Sequence, residues 1–219
     1  LSDPQNPYGL WFLNTLVIAV VTGAVTVFIG ALAAYAFSRM RFAGRRIGLV
    51  TIVVVQMFPQ LLAVVAIFLL MSTLGDWFPA IGLNTHTGLI LVYLGGALGV
   101  NTYLMYGFFN TLPMELDEAA RIDGAGHARI FFTMILPLVA PILAVVALLS
   151  FIGTVNEYVI ASVMLVDVDQ QTLVVGLTKL VANPRYADWS AFSAGAVMAA
   201  IPVMILFLFL QRYLSLIHI

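Results

Sequence analysis

The feature that most constrains this chain is a series of long apolar runs that carry almost no charged residues. A helix needs about 20 apolar residues to cross a hydrocarbon core about 30 Å thick. Lipid offers backbone groups no water, so such runs cross as helices or closed barrels, and these lack the alternation of barrel strands. Five runs qualify as helical spans, named A to E: Trp11–Phe37, Ile47–Met71, Leu89–Phe109, Ile135–Ile152 with a possible extension towards Leu165, and Ala191–Leu210.

The composition indicates the same class. Of the 219 residues, 63% are hydrophobic and 9% are charged, whereas soluble domains are about 25% charged. A soluble fold of this size could not remove so much apolar surface from water. The net charge of −1 argues against nucleic-acid binding, and the absence of cysteine excludes disulfides. We therefore predict an all-α, polytopic transmembrane helical bundle.

Basic residues are distributed unevenly between the two sides of this predicted bundle. The A–B loop, the C–D loop and the segment after span E hold seven arginines, whereas the other side holds Lys179 and Arg185. Since basic residues favour cytoplasmic loops, we expect the amino end outside and the carboxyl end in the cytoplasm. The seven are Arg39, Arg41, Arg45, Arg46, Arg121, Arg129 and Arg212.

Proline residues interrupt several spans. Pro59 lies within span B, Pro137 and Pro141 near the start of span D, and Pro202 within span E. Each proline removes a backbone donor and tends to kink its helix. A glycine pair four residues apart in span C lets another helix approach closely. These features are either packing devices or the hinges of a protein that rearranges around a pathway.

The C–D loop holds most of the internal charge. Its acidic cluster at 115–118 suits the first turn of a short helix, which Thr111 could cap. Asp117 lies four residues before Arg121, the spacing of an exposed ion pair, and Gly124 tolerates a positive φ. We predict two short helices on the cytoplasmic face, and an ordinary amphipathic connection is the alternative.

This loop resembles the EAA loop of ABC-importer permeases. The family pattern is Glu-Ala-Ala, three residues, Gly, nine residues, Ile, one residue, Leu-Pro. Glu118–Ala120, Gly124 and Leu136-Pro137 match it, and Met134 occupies the isoleucine position. A chance match is not expected over the twenty residues from Glu118 to Pro137, so the chain resembles this family in the family's most distinctive segment.

The resemblance extends over nearly the whole chain. Ala33–Arg39 and Gln56–Pro59 are similar to the carbohydrate-uptake branch, in particular to maltose/maltodextrin permease subunits of the MalG type. Such subunits are type I ABC-importer permeases with six spans. We therefore expect five of six spans here, with residues 1–214 forming one permease domain that lacks its first helix. Residues 215–219 are expected to be a truncated or foreign tail.

The resemblance implies ATP-driven, binding-protein-dependent import of an oligosaccharide such as maltose or maltodextrin by alternating access. It implies a second permease subunit (MalF-like), an ATP-binding subunit dimer that holds ATP and Mg, and an extracytoplasmic sugar-binding protein. All would meet at the lipid membrane of a bacterial or archaeal cell. This chain would bind no cofactor, and its one lysine, Lys179, lies in no phosphate-binding loop. The expected ATPase-coupling residues are Glu118, Ala119, Ala120, Asp123, Gly124, Leu136 and Pro137.

Two further residue sets are expected to take part in transport. Polar side chains that could match sugar hydroxyls are Asn101, Tyr103, Tyr106, Asn156, Glu157 and Tyr158. Glu157 is either a pathway residue or a structurally paired or interfacial one. The resemblance also implies that the D–E loop contacts the binding protein, through Thr172, Leu173, Gly176 and Leu177. A surface helix that covers the bundle is the alternative for that loop.

Other functions fit the sequence less well. A secondary transporter of a small polar solute would need coupling-ion sites and usually internal repeats, and neither is visible. An enzyme would need a catalytic cluster, but His86, His127 and His218 are isolated and no paired metal ligands occur. We thus expect neither catalysis nor a metal site. An importer of a non-sugar substrate is the second alternative, since the sequence identifies neither the sugar nor the partners.

Overall fold

The computed structural model describes residues 6–214, and most of this stretch is helical. The predicted tail at 215–219 lies outside the described residues. The π-helical turn Ile130–Ile135 and the 3-10 turns Pro79–Ile81 and Val168–Gln170 connect longer elements. The α-helices are α1 (Tyr8–Arg39), α2 (Arg45–Gln56), α3 (Gln60–Trp77), α4 (His86–Phe109), α5 (Glu115–Ile122), α6 (His127–Arg129), α7 (Leu136–Leu138), α8 (Ala140–Asn156), α9 (Val159–Met164), α10 (Leu173–Val181) and α11 (Trp189–Leu214).

Within residues 6–214, three helices are individually long and apolar enough to cross a bilayer, namely α1, α4 and α11. Two bent helix pairs raise the number to five when each pair is counted as one span. α2 and α3 meet at 101°, and the helical stretch His127–Leu138 meets α8 at 77°. The predicted all-α membrane bundle is therefore confirmed, with five as an approximate number of spans.

Proline residues lie at both bends. α2 ends at Gln56 and Pro59 immediately precedes α3, while Pro141 lies in the first turn of α8. Proline is tolerated there because the first turn of a helix needs no N–H from it. Spans B and D are therefore each divided into two helices rather than merely kinked. The predicted extension of span D is also interrupted, since α8 ends at Asn156 and α9 begins at Val159.

α1 is the central helix and packs against α4 and α8. Its buried face carries small or hydroxyl side chains, among them Ala19, Thr22 and Thr26, which allow neighbouring helices to approach closely. A Cβ added at Gly30 would lie 3.3 Å from Met105 Sδ on α4. At 1.5 Å per residue its 32 residues span about 48 Å. α1 therefore reaches both ends of the bundle.

The two ends of the bundle are built differently. We call the end that includes Arg39, α5 and α6 the arginine-rich face, and the end that includes Trp11 and α10 the opposite face. A buried cluster around Tyr35 and Phe109 packs towards the arginine-rich face. On the opposite face, smaller clusters join the start of α1 to α9 and α10. Each end thus has its own core, and α1 contributes to both.

Candidate functional site

The C–D loop forms the short helix α5 on the arginine-rich face. α5 begins at Glu115 and its N-cap residue, Met114, makes no side-chain cap. The predicted cap at Thr111 is wrong, because its hydroxyl donates to the carbonyl of Phe108 at 2.8 Å and so completes the end of α4. The acidic cluster 115–118 does occupy the first turn of α5, where the helix dipole favours negative charge.

Gly124 ends α5 in a left-handed conformation, with φ at +81°. The Ala125 N–H donates to the Ala120 carbonyl at 2.9 Å, and the Gly124 N–H donates to the Arg121 carbonyl at 3.0 Å. This pair of bonds is the Schellman motif, which satisfies carbonyls at a helix end. The predicted positive φ is confirmed, and it fixes the direction in which the chain leaves α5. Asp123, exposed, is the C-cap residue.

α5 turns one face to the bundle and another to solvent. Ala120 is 6% exposed and packs inward, whereas Glu118 and Ala119 are exposed and Ile122 is 86% exposed. Together with Glu115, the exposed three follow the i, i+3, i+4, i+7 spacing of a single helix face. We call Glu115, Glu118, Ala119 and Ile122 the docking face. Sequence reasoning missed Ile122, although this spacing from Glu115 could have identified it.

Asp117 is the clearest departure from the sequence prediction. The exposed pair with Arg121 is wrong, because Asp117 points inward and its Oδ2 lies 3.4 Å from Arg39 Nε. Both side chains are at most 3% exposed. On a helix, position 117 shares a face with Ala120 rather than with the docking face. Arg39 entered the sequence reasoning as a marker of orientation and as the end of the family-like stretch Ala33–Arg39, with no acidic partner assigned, so this pair was missed.

Aromatic packing holds the rest of the C–D segment on α1. The ring of Tyr35 lies 5.1 Å from that of Phe131, and its hydroxyl lies 3.4 Å from His127 Nδ1. Leu136 is half-buried against the same cluster, while Pro137 is exposed in α7. Of the seven predicted coupling residues, Ala120 alone is buried, and their coupling role stays a prediction.

A cavity of about 750 Å³ lies between the bent span B, α4 and α8. Asn101 and Glu157, both predicted as pathway residues, line it. The lining also includes polar residues that sequence reasoning missed: Gln56, Tyr93, Ser150 and Thr154. They stand singly in apolar runs, so only their common position in space reveals them. The other four predicted residues do not line it: Tyr103, Asn156 and Tyr158 are exposed, and Tyr106 packs towards the arginine-rich face.

Glu157 lies in the break between α8 and α9, where both oxygens of its carboxylate accept hydrogen bonds. Its Oε2 accepts from the Tyr93 hydroxyl at 2.7 Å and from the Ala161 N–H at 2.9 Å. Its Oε1 accepts from the Ile160 N–H at 2.8 Å. Carboxylates are stabilised by the free N–H groups of a helix start. Structural pairing therefore applies to Glu157, at the wall of the cavity.

Close approach at the glycine pair of span C is confirmed at one of its two members. A Cβ at Gly99 would fall on the side chain of Gln56, which donates to the carbonyl of Gly96. A Cβ at Gly95 would meet nothing within 4 Å. Gly99 therefore admits the end of α2 against α4, and this contact forms part of the cavity wall.

The four residues predicted to contact a binding protein lie inside the bundle. Thr172, Leu173, Gly176 and Leu177 are all buried, at the start of α10 and within it. The Leu173 N–H donates to Thr15 Oγ1 at 2.7 Å. α10 thus covers part of the bundle, as the surface-helix alternative expects, and contact of these four residues with a binding protein stays a prediction. Exposed side chains follow it in the segment that we call the loop 182–189, which ends at Trp189, the first residue of α11. They include Tyr186 (77% exposed) and Trp189 (63% exposed), which the sequence reasoning did not select.

The histidines do not assemble a metal site in the part of the chain that the structure describes. His86 begins α4, and its Nε2 lies 3.0 Å from the carbonyl of Gln170. His127 contacts Tyr35 at the other end of the bundle. Among residues 6–214 the structure groups no three His, Asp or Glu side chains in a way that could hold a metal ion.

Three comparisons relate this arrangement to known proteins. Residues 26–216 match the family model described as "Binding-protein-dependent transport system inner membrane component". The maltodextrin transport system permease protein MdxG of Bacillus subtilis is 43% identical over 208 residues, covering 95% of this chain and 73% of the relative. The maltose/maltodextrin transport system permease protein MalG of Salmonella typhimurium is 43% identical over 214 residues, covering 98% and 72%.

A solved structure is similar in three dimensions as well. It is a bacterial ABC transporter involved in the import of the acidic polysaccharide alginate. The similar chain has 29% sequence identity and a TM-score of 0.77, and the match covers 97% of this chain and 76% of that one. At this identity and coverage, the likeness includes the order and packing of the helices.

Proposed function

We propose a function that proceeds from one premise: this chain belongs to the family of binding-protein-dependent transport system inner membrane components. It is a multi-pass membrane subunit of an ABC importer, and it is a transport permease rather than an enzyme. In such systems ATP hydrolysis belongs to separate ATPase components. A second permease and a binding protein complete the assembly that the family implies.

The docking face of α5 is the proposed joint to the ATPase, and its exposure carries the proposal. Glu118, Ala119 and Ile122 project from the arginine-rich face, while the buried side of α5 holds it on the bundle. Glu118 offers a charge, Ala119 leaves room for close approach, and Ile122 supplies apolar area at the carboxyl end of α5. ATP-driven closure of the ATPase dimer would move α5 as a rigid element and rock the permease between two orientations.

The arginine-rich face is proposed to be cytoplasmic. Basic residues accumulate in cytoplasmic loops, and the ATPase must be reached from the side where ATP is present. The docking face and the majority of arginines lie at the same end of the bundle. The opposite face, with α10 and the loop 182–189, is then external, in the inner membrane of a bacterium or the membrane of an archaeon.

The proposed substrate is a neutral oligosaccharide of the maltodextrin class. Relatives that are 43% identical over nearly all of this chain are named as maltodextrin or maltose/maltodextrin permeases. The described cavity lining offers hydroxyl and amide groups but no Lys or Arg. Its one carboxylate, Glu157, already accepts three hydrogen bonds. An acidic polysaccharide would need basic groups to offset its charge, so a neutral sugar fits this wall better.

Asn101, Ser150 and Thr154 are the proposed polar contacts of that pathway. All three are at most 8% exposed and lie on α4 and α8 at the cavity wall. The Ser150 Oγ has no hydrogen-bond partner within the described chain, and a buried hydroxyl without a partner costs free energy. A passing sugar hydroxyl would satisfy it. The bend of span B borders the same cavity, where a change of orientation would widen or close it.

The external contact with a binding protein is proposed for the loop 182–189 rather than for the buried residues of α10. Tyr186 and Trp189 are large, exposed and amphipathic, and Tyr and Trp are enriched at protein interfaces. α10 would support this loop, since its residues Leu173 and Leu177 pack against the start of α1 and against α11.

Uptake in proteoliposomes tests the proposal. The chain is reconstituted with its partner permease, ATPase and binding protein, and ATP-dependent uptake of labelled maltotriose is measured. Glu118→Lys should abolish both co-purification of the ATPase and uptake. Asp76→Lys makes the same charge change at an exposed site near the opposite face and should preserve ATPase binding. Uptake that persists with an inactivated ATPase would reject the importer mechanism, and normal ATPase binding by Glu118→Lys would reject the docking face.

A further inference from the structure

The contact between Arg39 and Asp117 is the one ion pair found among the described residues, and it is almost completely buried. Arg39 is the last residue of α1, and Asp117 lies in the first turn of α5. The whole of spans B and C separates the two residues in the sequence. Their contact therefore joins the central helix directly to the helix that carries the docking face.

Arg39 binds more of this segment than its acidic partner. Its Nη2 donates to the carbonyl of Leu112 at 3.0 Å, and its Nη1 contacts Met114 Sδ. The planar guanidinium thus holds the turn that leads into α5 as well as the helix itself. A lysine carries one compact ammonium group and cannot reproduce such a fork of donors. The residue type therefore fits a fixed geometry rather than a charge alone.

The burial of this pair makes the loss of either member costly. Removing one member of a buried pair leaves an uncompensated charge, whereas replacing both by apolar residues is often neutral or stabilising. Stability alone would not require an ion pair at this position. The Arg39–Asp117 contact is a charge contact without a hydrogen bond, so direction comes from the hydrogen bond that Arg39 Nη2 donates to the Leu112 carbonyl. Hydrogen bonds are directional in a way that apolar contacts are not, so Arg39 fixes the orientation of α5 relative to α1.

We propose that Arg39 is a positioning residue for the contact between α5 and the ATPase. Through Asp117, Arg39 transmits the movement of α5 to α1. The inference rests on the proposed docking of α5 onto the ATPase. Glu118 on the docking face is the next residue after Asp117, so a force applied to one side of α5 reaches the buried pair within a single helical turn. α1 then passes the displacement through the length of the bundle.

Four variants of the assembled importer test this role: Arg39→Gln, Asp117→Asn, the apolar double variant Arg39→Met/Asp117→Leu, and Arg41→Gln as the control. Arg41 is an exposed arginine two residues beyond the pair. Three quantities are measured for each variant: the amount of assembled complex, ATP hydrolysis stimulated by the loaded binding protein, and maltotriose transported per ATP hydrolysed.

The single variants should lower the sugar transported per ATP by about tenfold, within the range of measured coupling energies, and should also assemble less well. The double variant should assemble like the wild type, because it leaves no buried charge, yet it should still lose about tenfold in transport per ATP. Arg41→Gln should match the wild type in all three quantities.

Two results would overturn the inference. One is a double variant that assembles and couples like the wild type; the other is single variants whose loss lies only in the amount of complex, at a normal transport ratio. Either would leave the pair a purely structural role. Failure of the underlying function would be seen differently, as wild-type uptake that is independent of ATP or an ATPase that binds the Glu118→Lys variant.

Discussion

Gly176 provides the most direct test of how α1 and α10 fit together. A Cβ at this position would lie 2.1 Å from the nearest atom of the Trp11 ring, where ordinary contacts are about 3.5–4.0 Å. Trp11 is 1% exposed, and its Nε1 donates to the carbonyl of Val168 at 2.7 Å. The substitution Gly176→Ala must therefore displace a buried ring and stretch its hydrogen bond.

The expected cost follows from these two effects. Overpacking a filled core costs about 1–3 kcal/mol, and a weakened hydrogen bond adds about 1 kcal/mol. The better helix propensity of alanine returns about 1 kcal/mol. Gly176→Ala should therefore destabilise the protein by about 1–3 kcal/mol. Gly107→Ala is the matched control, because an added Cβ there meets nothing within 4 Å and the site, on α4, is exposed.

Thermal unfolding of the protein in detergent, followed by circular dichroism, measures the difference. The control should equal or slightly exceed the wild type in stability, so the two Tm values should differ by roughly 2–16 °C at about 2–4 °C per kcal/mol. Adding Trp11→Leu to Gly176→Ala should cost less than the sum of the two changes, since the smaller side chain makes room for the methyl group. Coincident melting curves for the alanine variants, or strict additivity, would refute the proposed close contact.

Three further outcomes follow. Gly124→Ala places a Cβ at φ +81°, which costs about 1–2 kcal/mol, and it should weaken ATPase binding about fivefold or more in a pull-down titration. The control Gly126→Ala, at a residue with an ordinary φ, should bind the ATPase like the wild type. Equal binding by the two variants would contradict the helix-end argument. Tyr93→Phe removes the hydroxyl bonded to Glu157 and should lower stability by about 0.6–1.5 kcal/mol and slow maltotriose uptake; an unchanged melting curve and rate would count against it. Because the chain has no cysteine, single Ala182→Cys and Ala128→Cys variants report the orientation of the chain in the membrane. A membrane-impermeant maleimide should label position 182 in intact cells and position 128 only after permeabilisation. The reverse labelling pattern would contradict the proposed topology.

The sequence predicted the features that depend on composition and local chemistry. Long apolar runs identified the membrane class because the bilayer imposes a length on them. Gly124 was identifiable because a left-handed residue at a helix end is a local requirement. The sequence located the bends at Pro59 and Pro141 correctly, but it did not predict their angles, since the angle between two half-helices depends on what packs around them.

The features that the sequence missed depend on contacts between distant segments. Asp117 has a nearby basic residue at helical spacing, and only the packing of α5 shows that its partner is Arg39. Thr172 and Gly176 looked like loop residues because their partners, Thr15 and Trp11, lie at the start of the chain. The cavity wall is likewise assembled from polar residues that stand alone in separate apolar runs.

α1 differs from the bent spans in a way that suits a division of roles. It is a continuous helix without an internal proline, and elements at both ends of the bundle attach to it. Near its start, Trp11 and Asn14 hold the turn Val168–Gln170 by hydrogen bonds, and at its end Arg39 holds α5. A continuous helix transmits displacement, whereas spans B and D are each bent and the bend of span B lies beside the cavity. If α5 is driven from the cytoplasm, α1 carries the movement across the membrane and the two bent spans yield around the pathway, which is the rigid-body behaviour that alternating access requires.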